Sequence, residues 1–381
     1  MFLEDIEGSP SLEMINLVLK KIAAGEKVLS LAIGEPSFQT PKEIIERAYK
    51  SMMEGNTHYV SAYGTPEFRE AARRKVKRKN GINAQAGNTI FSTTKLSVYA
   101  SLVAVSNTSY DALLPDPGYF YSEPATLSGG RPIYYRLNED FSLNMEEIRK
   151  KVTKRTKAII INSPANPTGK VFRKNEIREL YDFCHERGIY LISDEAYEDL
   201  VYGVEHFSAG SLEPKPEIVI SLYSLSKSYS MTGWRAGYVV ASERIIYLMN
   251  KFFENTLTCF PPFIQSASAY ALEKCDRHIR LFRDELAQRK KLMEEKIAGI
   301  DALMPNMIEG AFYAFPRYKG KMTSSEAGAR ILDKHGVAVL PGTSFGPSGE
   351  KHLRISFSGS RESIDEGMNK VGTFFREARS H

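Results

Sequence analysis

Four short apolar runs of this 381-residue chain each end in a cluster of polar residues that could do chemistry. In chain order, the clusters are Asp116-Pro117-Gly118-Tyr119, Ser163-Pro164-Ala165-Asn166-Pro167-Thr168-Gly169, Asp194-Glu195-Ala196-Tyr197 and Tyr223-Ser224-Leu225-Ser226-Lys227. Open α/β sheets bind ligands beyond the carboxyl ends of their strands, so neighbouring strands would bring these clusters together. Taken singly, each has an ordinary explanation, such as a Pro-Gly loop, a helix N-cap or a solvated lysine. The combination points to a binding site.

A lysine beside hydroxyls, a carboxylate at a strand end and a tyrosine three residues beyond it are the groups that pyridoxal phosphate chemistry requires. The amine of Lys227 would form a Schiff base with the aldehyde of the cofactor. The carboxylate of Asp194 would keep the pyridine nitrogen protonated, so that the ring accepts electrons, and the phenol of Tyr197 would hold the ring oxygen. These three residues therefore predict a pyridoxal phosphate site.

The elements that must position these groups are strands that alternate with helices. Helix-period segments separate short apolar runs at 111–115, 131–135, 157–162, 189–193, 218–222 and 236–240. The runs do not alternate polar with apolar residues, which is typical of parallel strands covered on both faces. We expect an α/β fold whose mostly parallel central sheet, flanked by helices, forms a large domain of residues 40–280. The mixed pattern further on predicts a smaller α+β domain of residues 1–39 plus 281–381.

The composition excludes several classes of protein. Hydrophobic residues at 42% and charged residues at 25% indicate a folded globular chain, and a net charge of +5 is too small for this length to indicate nucleic-acid binding. The seven histidines form no metal-binding pattern, and the three cysteines form no CxxC pair or even disulfide framework. The sequence shows no signal peptide and no apolar run long enough for a bilayer. We therefore expect a cytoplasmic protein with no metal, nucleic-acid or membrane partner.

At these polar clusters the sequence resembles the class I and II aminotransferases of the fold-type I pyridoxal phosphate superfamily. The motifs that carry the resemblance stand in the family's order and are LAIGEPSFQTP, SPANPTG, SDEAYEDLVY, SLSKSYSMTGWRAGY and HLRISFS. They extend from about residue 34 to residue 358, and SxSK with a distant arginine is highly specific. The resemblance is to the bacterial and archaeal aspartate aminotransferase branch. It implies ping-pong transfer of an amino group between an L-amino acid and a 2-oxo acid.

The resemblance also implies a role for each matching residue. Lys227 would be the Schiff-base lysine and then the general base that moves the Cα proton, and Asp194 would pair with the pyridine nitrogen. Tyr197 and Asn166 would contact the ring O3′ atom, and Tyr119 would stack on the ring. The remaining cofactor-binding residues, most of them near the phosphate, would be Thr93, Thr94, Lys95, Ser224, Ser226 and Arg235.

Substrate-binding residues are implied in the same way. Arg354 would grip the α-carboxylate, where its planar fork makes two parallel bonds that a lysine could not supply, and Asn166 would assist. Gly34 would let the backbone approach the substrate. Lys95 matches the lysine that contacts the distal carboxylate of dicarboxylic substrates in a bacterial branch of the aspartate aminotransferases. The alternative for Lys95 is a solvated lysine at a helix start. We expect aspartate or glutamate as amino donor, with aromatic amino acids next.

Two further features concern the phosphate. The loop Ser92-Thr93-Thr94-Lys95 departs from the family's glycine-containing loop, but amides and hydroxyls at a helix N-terminus still bind an anion. Tyr59 resembles the tyrosine that reaches the phosphate of the neighbouring subunit, with Tyr63 as the rival for that role and a core aromatic as the alternative for both. The resemblance thus implies a homodimer with shared active sites.

Other functions remain open at this point. The same residues serve pyridoxal phosphate-dependent lyases and other fold-type I enzymes, because the reaction type depends on which Cα bond lies perpendicular to the ring. A non-catalytic sensor is a second alternative, although such regulators carry a DNA-binding domain and only about 33 residues precede Gly34. The run Ser224-Leu225-Ser226-Lys227 also matches the S-x-x-K of penicillin-binding serine enzymes, but their K-T-G element is absent.

Overall fold

The computed structural model of the chain describes residue 6, residue 8, residues 10–106 and residues 109–379. The α-helices of this part are α1 (Pro10–Ala23), α2 (Lys42–Met53), α3 (Pro66–Lys75), α4 (Thr94–Val105), α5 (Ser122–Leu127), α6 (Met145–Lys151), α7 (Lys174–Arg187), α8 (Leu225–Ser228), α9 (Glu243–Thr256), α10 (Pro262–Lys274), α11 (Asp276–Ala298), α12 (Ser324–His335) and α13 (Arg361–Arg379). The strands are β1 (Leu29–Ser30), β2 (Thr89–Ser92), β3 (Tyr110–Asp116), β4 (Gly130–Arg136), β5 (Thr156–Asn162), β6 (Tyr190–Asp194), β7 (Val219–Ser224), β8 (Gly237–Val240), β9 (Leu303–Met304), β10 (Tyr313–Ala314), β11 (Arg317–Tyr318), β12 (Val337–Ala338), β13 (Leu340–Pro341) and β14 (Leu353–Ser356). In this described part, no helix combines the length and the apolar character needed to cross a membrane.

A seven-stranded sheet forms the centre of the molecule, in the order β2-β8-β7-β6-β5-β3-β4. Strand β8 runs antiparallel to both of its neighbours, and the other strand pairs are parallel. The expected α/β fold with a mostly parallel sheet is therefore confirmed. The six apolar runs correspond to β3 to β8, whereas β2 gave no signal because its four residues TIFS are too short and too mixed to stand out.

Helices cover the sheet on both faces, which explains why its strands read as continuous apolar runs. In β5, Ile160 belongs to one buried cluster, together with residues of α3, α4, α9 and α10. Its neighbours Ile159 and Ile161 belong to a second buried cluster, together with residues of α6 and α7. Successive side chains of a strand point to opposite faces, so both faces of β5 need apolar residues.

The register of the sheet sets where the polar clusters emerge. Asn162, the last residue of β5, lies beside Asp194, the last residue of β6. Asp194 in turn lies beside Leu222 near the end of β7, two residues before Ser224. The carboxyl ends of these parallel strands therefore meet at one edge of the sheet, as the sequence pattern predicts.

The later part of the chain forms smaller sheets. Strand β1 pairs with β12, β9 pairs with β11, and β10, β14 and β13 form a three-stranded sheet. A buried cluster joins Leu31 to residues of α11, α12 and α13, so the segment near residue 31 packs with the carboxyl-terminal part of the chain. This packing agrees with an α+β unit that combines both ends of the chain. The domain boundaries near residues 40 and 280 stay a prediction.

The burial of β5 gives a test of the core. The side chain of Ile160 is 0% exposed, and it belongs to a buried cluster of residues from the sheet and from the helices on one of its faces. We expect Ile160→Ala to lower the free energy of unfolding by about 2–5 kcal/mol, since it removes buried methyl groups and leaves a cavity. Urea unfolding would measure this difference. Met307→Ala is the control, because Met307 is 72% exposed and its truncation should change stability by less than about 0.5 kcal/mol.

Candidate active site

A cavity of about 330 Å³ opens at the carboxyl ends of β5, β6 and β7. Its wall contains all but two of the predicted site residues, although they come from widely separated parts of the chain. These are Gly34, Thr94, Lys95, Tyr119, Asn166, Asp194, Tyr197, Ser224, Ser226, Lys227, Arg235 and Arg354. Such a concave site with a few convergent polar groups is where a small ligand is expected to bind.

Lys227 lies on α8, a single helical turn that directly follows β7. The side-chain oxygen of Ser224 begins this turn by accepting a hydrogen bond from the amide of Ser226 at 3.2 Å. The Lys227 Nζ atom donates to the carbonyl oxygen of Gly34 at 2.8 Å. Burial lowers the pKa of the Lys227 amine to about 8, and the positive charges of Arg235 and Arg354 act in the same direction. An amine with such a pKa can lose its proton near neutral pH and act as nucleophile and base.

Asp194 ends β6 and is almost completely buried. Its Oδ2 atom accepts a hydrogen bond from the Tyr121 hydroxyl at 2.8 Å, and its Oδ1 atom accepts one from the Ala196 amide at 3.1 Å. Burial raises the pKa of the Asp194 carboxyl to about 6, although these two hydrogen bonds act against that shift. No lysine or arginine of the described residues forms an ion pair with it. A buried carboxylate of this kind is stabilised by a cation within the cavity, and a protonated ring nitrogen is such a cation.

Two tyrosines and a glycine form the adjoining wall. The hydroxyl groups of Tyr197 and Tyr313 lie 2.8 Å apart. Burial holds the pKa of Tyr197 well above its ordinary value, so its phenol stays protonated and can donate a hydrogen bond. A Cβ atom at Gly34 would lie 2.1 Å from the Tyr313 hydroxyl oxygen. Only glycine therefore allows the backbone at residue 34 to approach the cavity this closely.

Arg354, on β14, supplies a buried positive charge. Its side chain is packed over the Tyr313 ring, with the guanidinium carbon 4.5 Å from the ring centre, and the residue is 2% exposed. Nη1 donates to Asn166 Oδ1 at 3.1 Å, and Nη2 donates to the carbonyl oxygen of Ala32. Nε has no hydrogen-bond partner among the described residues. A buried guanidinium that lacks a carboxylate partner is costly, so this site suits a ligand that brings a carboxylate.

A second group of donors suits a phosphate. Arg235 lines the cavity with a left-handed backbone (φ 56°), and its Nη1 atom donates to the carbonyl oxygen of Thr232 at 2.8 Å. Thr94, the first residue of α4, and the hydroxyl residues Ser224 and Ser226 lie on the same wall. The first amides of a helix have no partner within the helix, and its dipole favours an anion. One guanidinium, three hydroxyls and free amides therefore match the phosphate of the predicted cofactor.

Two predicted residues lie outside the cavity wall. Thr93 precedes α4, and its carbonyl oxygen accepts a hydrogen bond from the Ser97 hydroxyl at 2.9 Å. Tyr59 is 86% exposed, and its rival Tyr63 lies under the Arg69 guanidinium, 5.1 Å from the ring centre. A role for Tyr59 in a neighbouring subunit stays a prediction, as does a phosphate contact of Thr93.

Sequence reasoning missed three residues that organise this wall. The side chain of Asn162 accepts from the Asn166 amide at 2.7 Å and donates to the Asp194 carbonyl oxygen at 3.0 Å. Asn162 could have been identified from the sequence, because it stands at the end of an apolar run. Tyr121 lies two residues after Tyr119 and could have been found from that cluster. Tyr313 comes from the distant GAFYAFP segment, and no spacing relates it to the other site residues.

Known proteins resemble this chain over almost its whole length. The sequence profile of the family "Aminotransferase class I and II" matches residues 26–371. An aspartate aminotransferase of Pyrococcus abyssi is 40% identical over 94% of each chain, and aromatic-amino-acid aminotransferase 2 of Thermococcus litoralis is 37% identical over 97% of this chain and 99% of its own. The structure of Thermus thermophilus aspartate aminotransferase with maleate superposes with a TM-score of 0.93, at 29% identity, over 97% of this chain and 98% of that one.

These likenesses confirm the expected cofactor, enzyme class and fold. They do not favour a lyase or a sensor, and the serine-enzyme alternative is wrong, since the family match includes the Ser224–Lys227 run. The protein is a pyridoxal phosphate-dependent transaminase that moves an amino group between an amino acid and a 2-oxo acid by a ping-pong cycle. The chain thus belongs to the class I and II aminotransferases.

Proposed function

We propose that this aminotransferase prefers aspartate or glutamate as amino donor, accepts aromatic amino acids second, and works as a homodimer in the cytoplasm. The observation that carries the substrate proposal is the pair of cations on one cavity wall, the buried Arg354 and the exposed Lys95. A dicarboxylic amino acid has one carboxylate for each. The free thiols of Cys184, Cys259 and Cys275 support a reducing compartment.

The residues of the wall fit pyridoxal phosphate. Arg235, Thr94, Ser224 and Ser226 would bind its phosphate, and the Asp194 carboxylate would hold the ring nitrogen in its protonated form. The bound cofactor supplies an electron sink for the carbanion that forms when the substrate loses its Cα proton. Tyr197, whose phenol stays protonated, and Asn166 would donate hydrogen bonds to the ring oxygen. Tyr119 would pack against the ring face.

The protein's own groups then bind the substrate and move its proton. Arg354 holds the α-carboxylate, and Asn166 fixes the guanidinium by accepting from Nη1. Lys227, whose lowered pKa leaves part of the amine unprotonated, would remove the Cα proton of the substrate and deliver it to the carbon of the cofactor that carries the aldehyde. Leu12, Ile15 and Phe120 add apolar side chains to the wall of the same cavity.

The same cavity wall supports a preference for both acidic and aromatic side chains of the substrate. Lys95 lies on the first turn of α4, where the helix dipole disfavours a cation, and no carboxylate of the described residues pairs with it. An anionic substrate side chain would relieve that cost. The apolar surface of Leu12, Ile15, Ile33 and Phe120 suits an aromatic ring instead. The relatives named as aspartate and aromatic aminotransferases support both substrates.

An apolar groove beside the active site supports the homodimer. The groove has a volume of about 770 Å³ and shares Glu35 and Thr232 with the cavity wall. Ile45, Tyr49 and Met52 of α2 line it, although these large apolar side chains are 40–62% exposed. Exposed apolar surface of this kind is usually covered by a protein partner. A second copy of the chain would cover it and bring the exposed Tyr59 towards a neighbouring active site.

The role of Lys227 has a direct test. We expect Lys227→Ala to lower turnover by about 10³-fold or more, since the variant lacks both the nucleophile and the proton carrier. Steady-state assay of the purified protein with aspartate and 2-oxoglutarate measures this. Lys170→Ala is the control, because Lys170 is a buried lysine whose ammonium pairs with Asp140 at 3.0 Å outside the cavity. A Lys227→Ala variant with normal turnover would refute the assignment.

The substrate preference depends on Lys95. We expect Lys95→Ala to raise KM for aspartate about ten-fold and KM for phenylalanine less than about two-fold, because only aspartate loses a charged hydrogen bond. Half-reactions followed by the cofactor absorption, with each amino acid in turn, measure the two constants. Lys42→Ala is the matched control, since Lys42 is an exposed lysine near the start of α2. Equal changes for both substrates would remove the reason to prefer dicarboxylates.

The dimer depends on the groove at α2. We expect Tyr49→Glu to convert the protein to monomers and to lower activity, since a charge cannot be buried against a second apolar surface. Light scattering after size-exclusion chromatography measures the mass of each species. Met307→Glu changes an equally exposed residue outside the groove and should leave the dimer intact. A monomeric wild-type protein with full activity would contradict the proposal.

A further inference from the structure

A chain of hydrogen-bonded groups lies behind the helical turn that carries Lys227. Ser228, the next residue, is 2% exposed and lies outside the cavity wall. Its hydroxyl donates to Asp199 Oδ2 at 2.5 Å, and the Asp199 Oδ1 atom forms an ion pair with the Lys79 ammonium. The turn is therefore connected, on the side away from the cavity, to a buried carboxylate and its cation.

The turn itself is too short to fix the direction of the lysine. Helix α8 has four residues, and helices of that length are not stable by their own hydrogen bonds. At its start, Ser224 accepts the hydrogen bond from Ser226. At its end, the Ser228 hydroxyl makes a side-chain hydrogen bond to another element, through Asp199. The direction of the Lys227 side chain thus depends on contacts at both ends.

Asp199 is itself held by a second element. Lys79 belongs to Val76–Asn80, a π-helical segment after α3, and such segments are rare and often occur at functional sites. A parallel ion pair joins Lys75 to Glu198, each with 6% of its side chain exposed, and Asn80 Nδ2 donates to Glu198 Oε2 at 2.6 Å. Two cation–carboxylate pairs therefore fasten residues 198–199, five residues or fewer beyond Asp194, to the end of α3 and to this π-helical segment.

The other charged groups of this region contact one another, although the buried His206 Nδ1 atom has no hydrogen-bond partner among the described residues. Glu195 accepts from the Ser208 hydroxyl at 2.9 Å and lies 2.9 Å from His206 Nε2. Glu195, Glu198 and His206 are close enough together to hold a metal ion, but the Lys75 ammonium already neutralises Glu198. The network is therefore suited to holding the backbone in place.

We propose that Ser228 and Asp199 are positioning residues, which hold the α8 turn so that the Lys227 amine reaches both the cofactor and the Cα proton. The proposal rests on the role of Lys227 under the proposed function. Removal of the Ser228 hydroxyl would leave Asp199 paired with Lys79 and would loosen the end of the turn, where Ser230 still donates to the Phe38 carbonyl oxygen. The Lys227 amine would then be misplaced by a small distance, which is enough to slow a reaction that requires close alignment.

Ser228→Ala tests this in the holoenzyme. We expect kcat to fall about 10- to 100-fold, with KM for both substrates within about two-fold of wild type. A second readout does not depend on activity: the fraction of Lys227 that borohydride fixes to pyridoxal phosphate, measured by peptide mass spectrometry, should fall at least about two-fold. Ser228→Thr, which keeps the hydroxyl, should restore part of both quantities.

Ser324→Ala is the matched control. Ser324 is 0% exposed, its hydroxyl donates to Glu350 Oε2 at 3.1 Å, and it does not line the cavity. This variant should lower the melting temperature but leave kcat and the fixed fraction of Lys227 unchanged. If Ser228→Ala likewise changes only the melting temperature, the proposal is wrong.

A second variant covers the case in which Ser228→Ala does not fold. Asp199→Asn keeps an acceptor for the Ser228 hydroxyl but loses the attraction of Lys79, and the same two readouts apply to it. A drop in kcat and in the fixed fraction supports the proposal, and a change in stability alone overturns it. Lys227→Ala distinguishes a failure of the proposed function from a failure of the positioning proposal. If that variant is inactive while Ser228→Ala and Asp199→Asn behave as wild type, only the positioning role is wrong.

Discussion

The burial of three charged groups around one small cavity is the constraint on which this structure depends. Asp194 and Arg354 are buried, Lys227 is partly buried, and none of the three has an ion-pair partner of its own among the described residues. Charges in such surroundings cost free energy unless a partner arrives. Under the proposed function, the cofactor and the substrate carboxylate would be those partners, and the burial that shifts the pKa values would also favour binding.

The sheet makes that burial possible. Strands β5, β6 and β7 are apolar over most of their length, although Ser193 and Ser221 lie inside β6 and β7, and each strand ends in a polar residue. The core is therefore mostly apolar, while Asn162, Asp194 and Ser224 emerge at one edge. Tyr313 and Arg354, on β10 and β14, form the opposing wall of the cavity. In the proposed two-domain arrangement, the site would lie between the large and the small domain.

Much of this could be predicted from the sequence, and the exceptions have physical reasons. Strands β3 to β8 could be predicted because they are buried on both faces and are therefore apolar. Lys227 and Asp194 could be predicted because they stand at or just after the ends of such strands. Tyr313 could not be predicted, because it lies 116 residues from its partner Tyr197 and no local sequence pattern indicates their contact. The Asp199–Ser228 contact was hidden for a related reason. Both residues have polar side chains that suit a surface loop, and only the fold shows that they are buried.

The reversed direction of β8 has a consequence for how the site assembles. Strand β8 begins at the same edge of the sheet at which β7 ends. The connection between them, residues 224–235, therefore stays at that edge and places Ser224, Ser226, Lys227 and Arg235 on one cavity wall. Arg354, by contrast, meets Asn166 across 188 residues. Contacts between residues close in sequence form sooner than distant ones. During folding, the part of the site formed by residues 224–235 should thus form before the contact between Arg354 and Asn166.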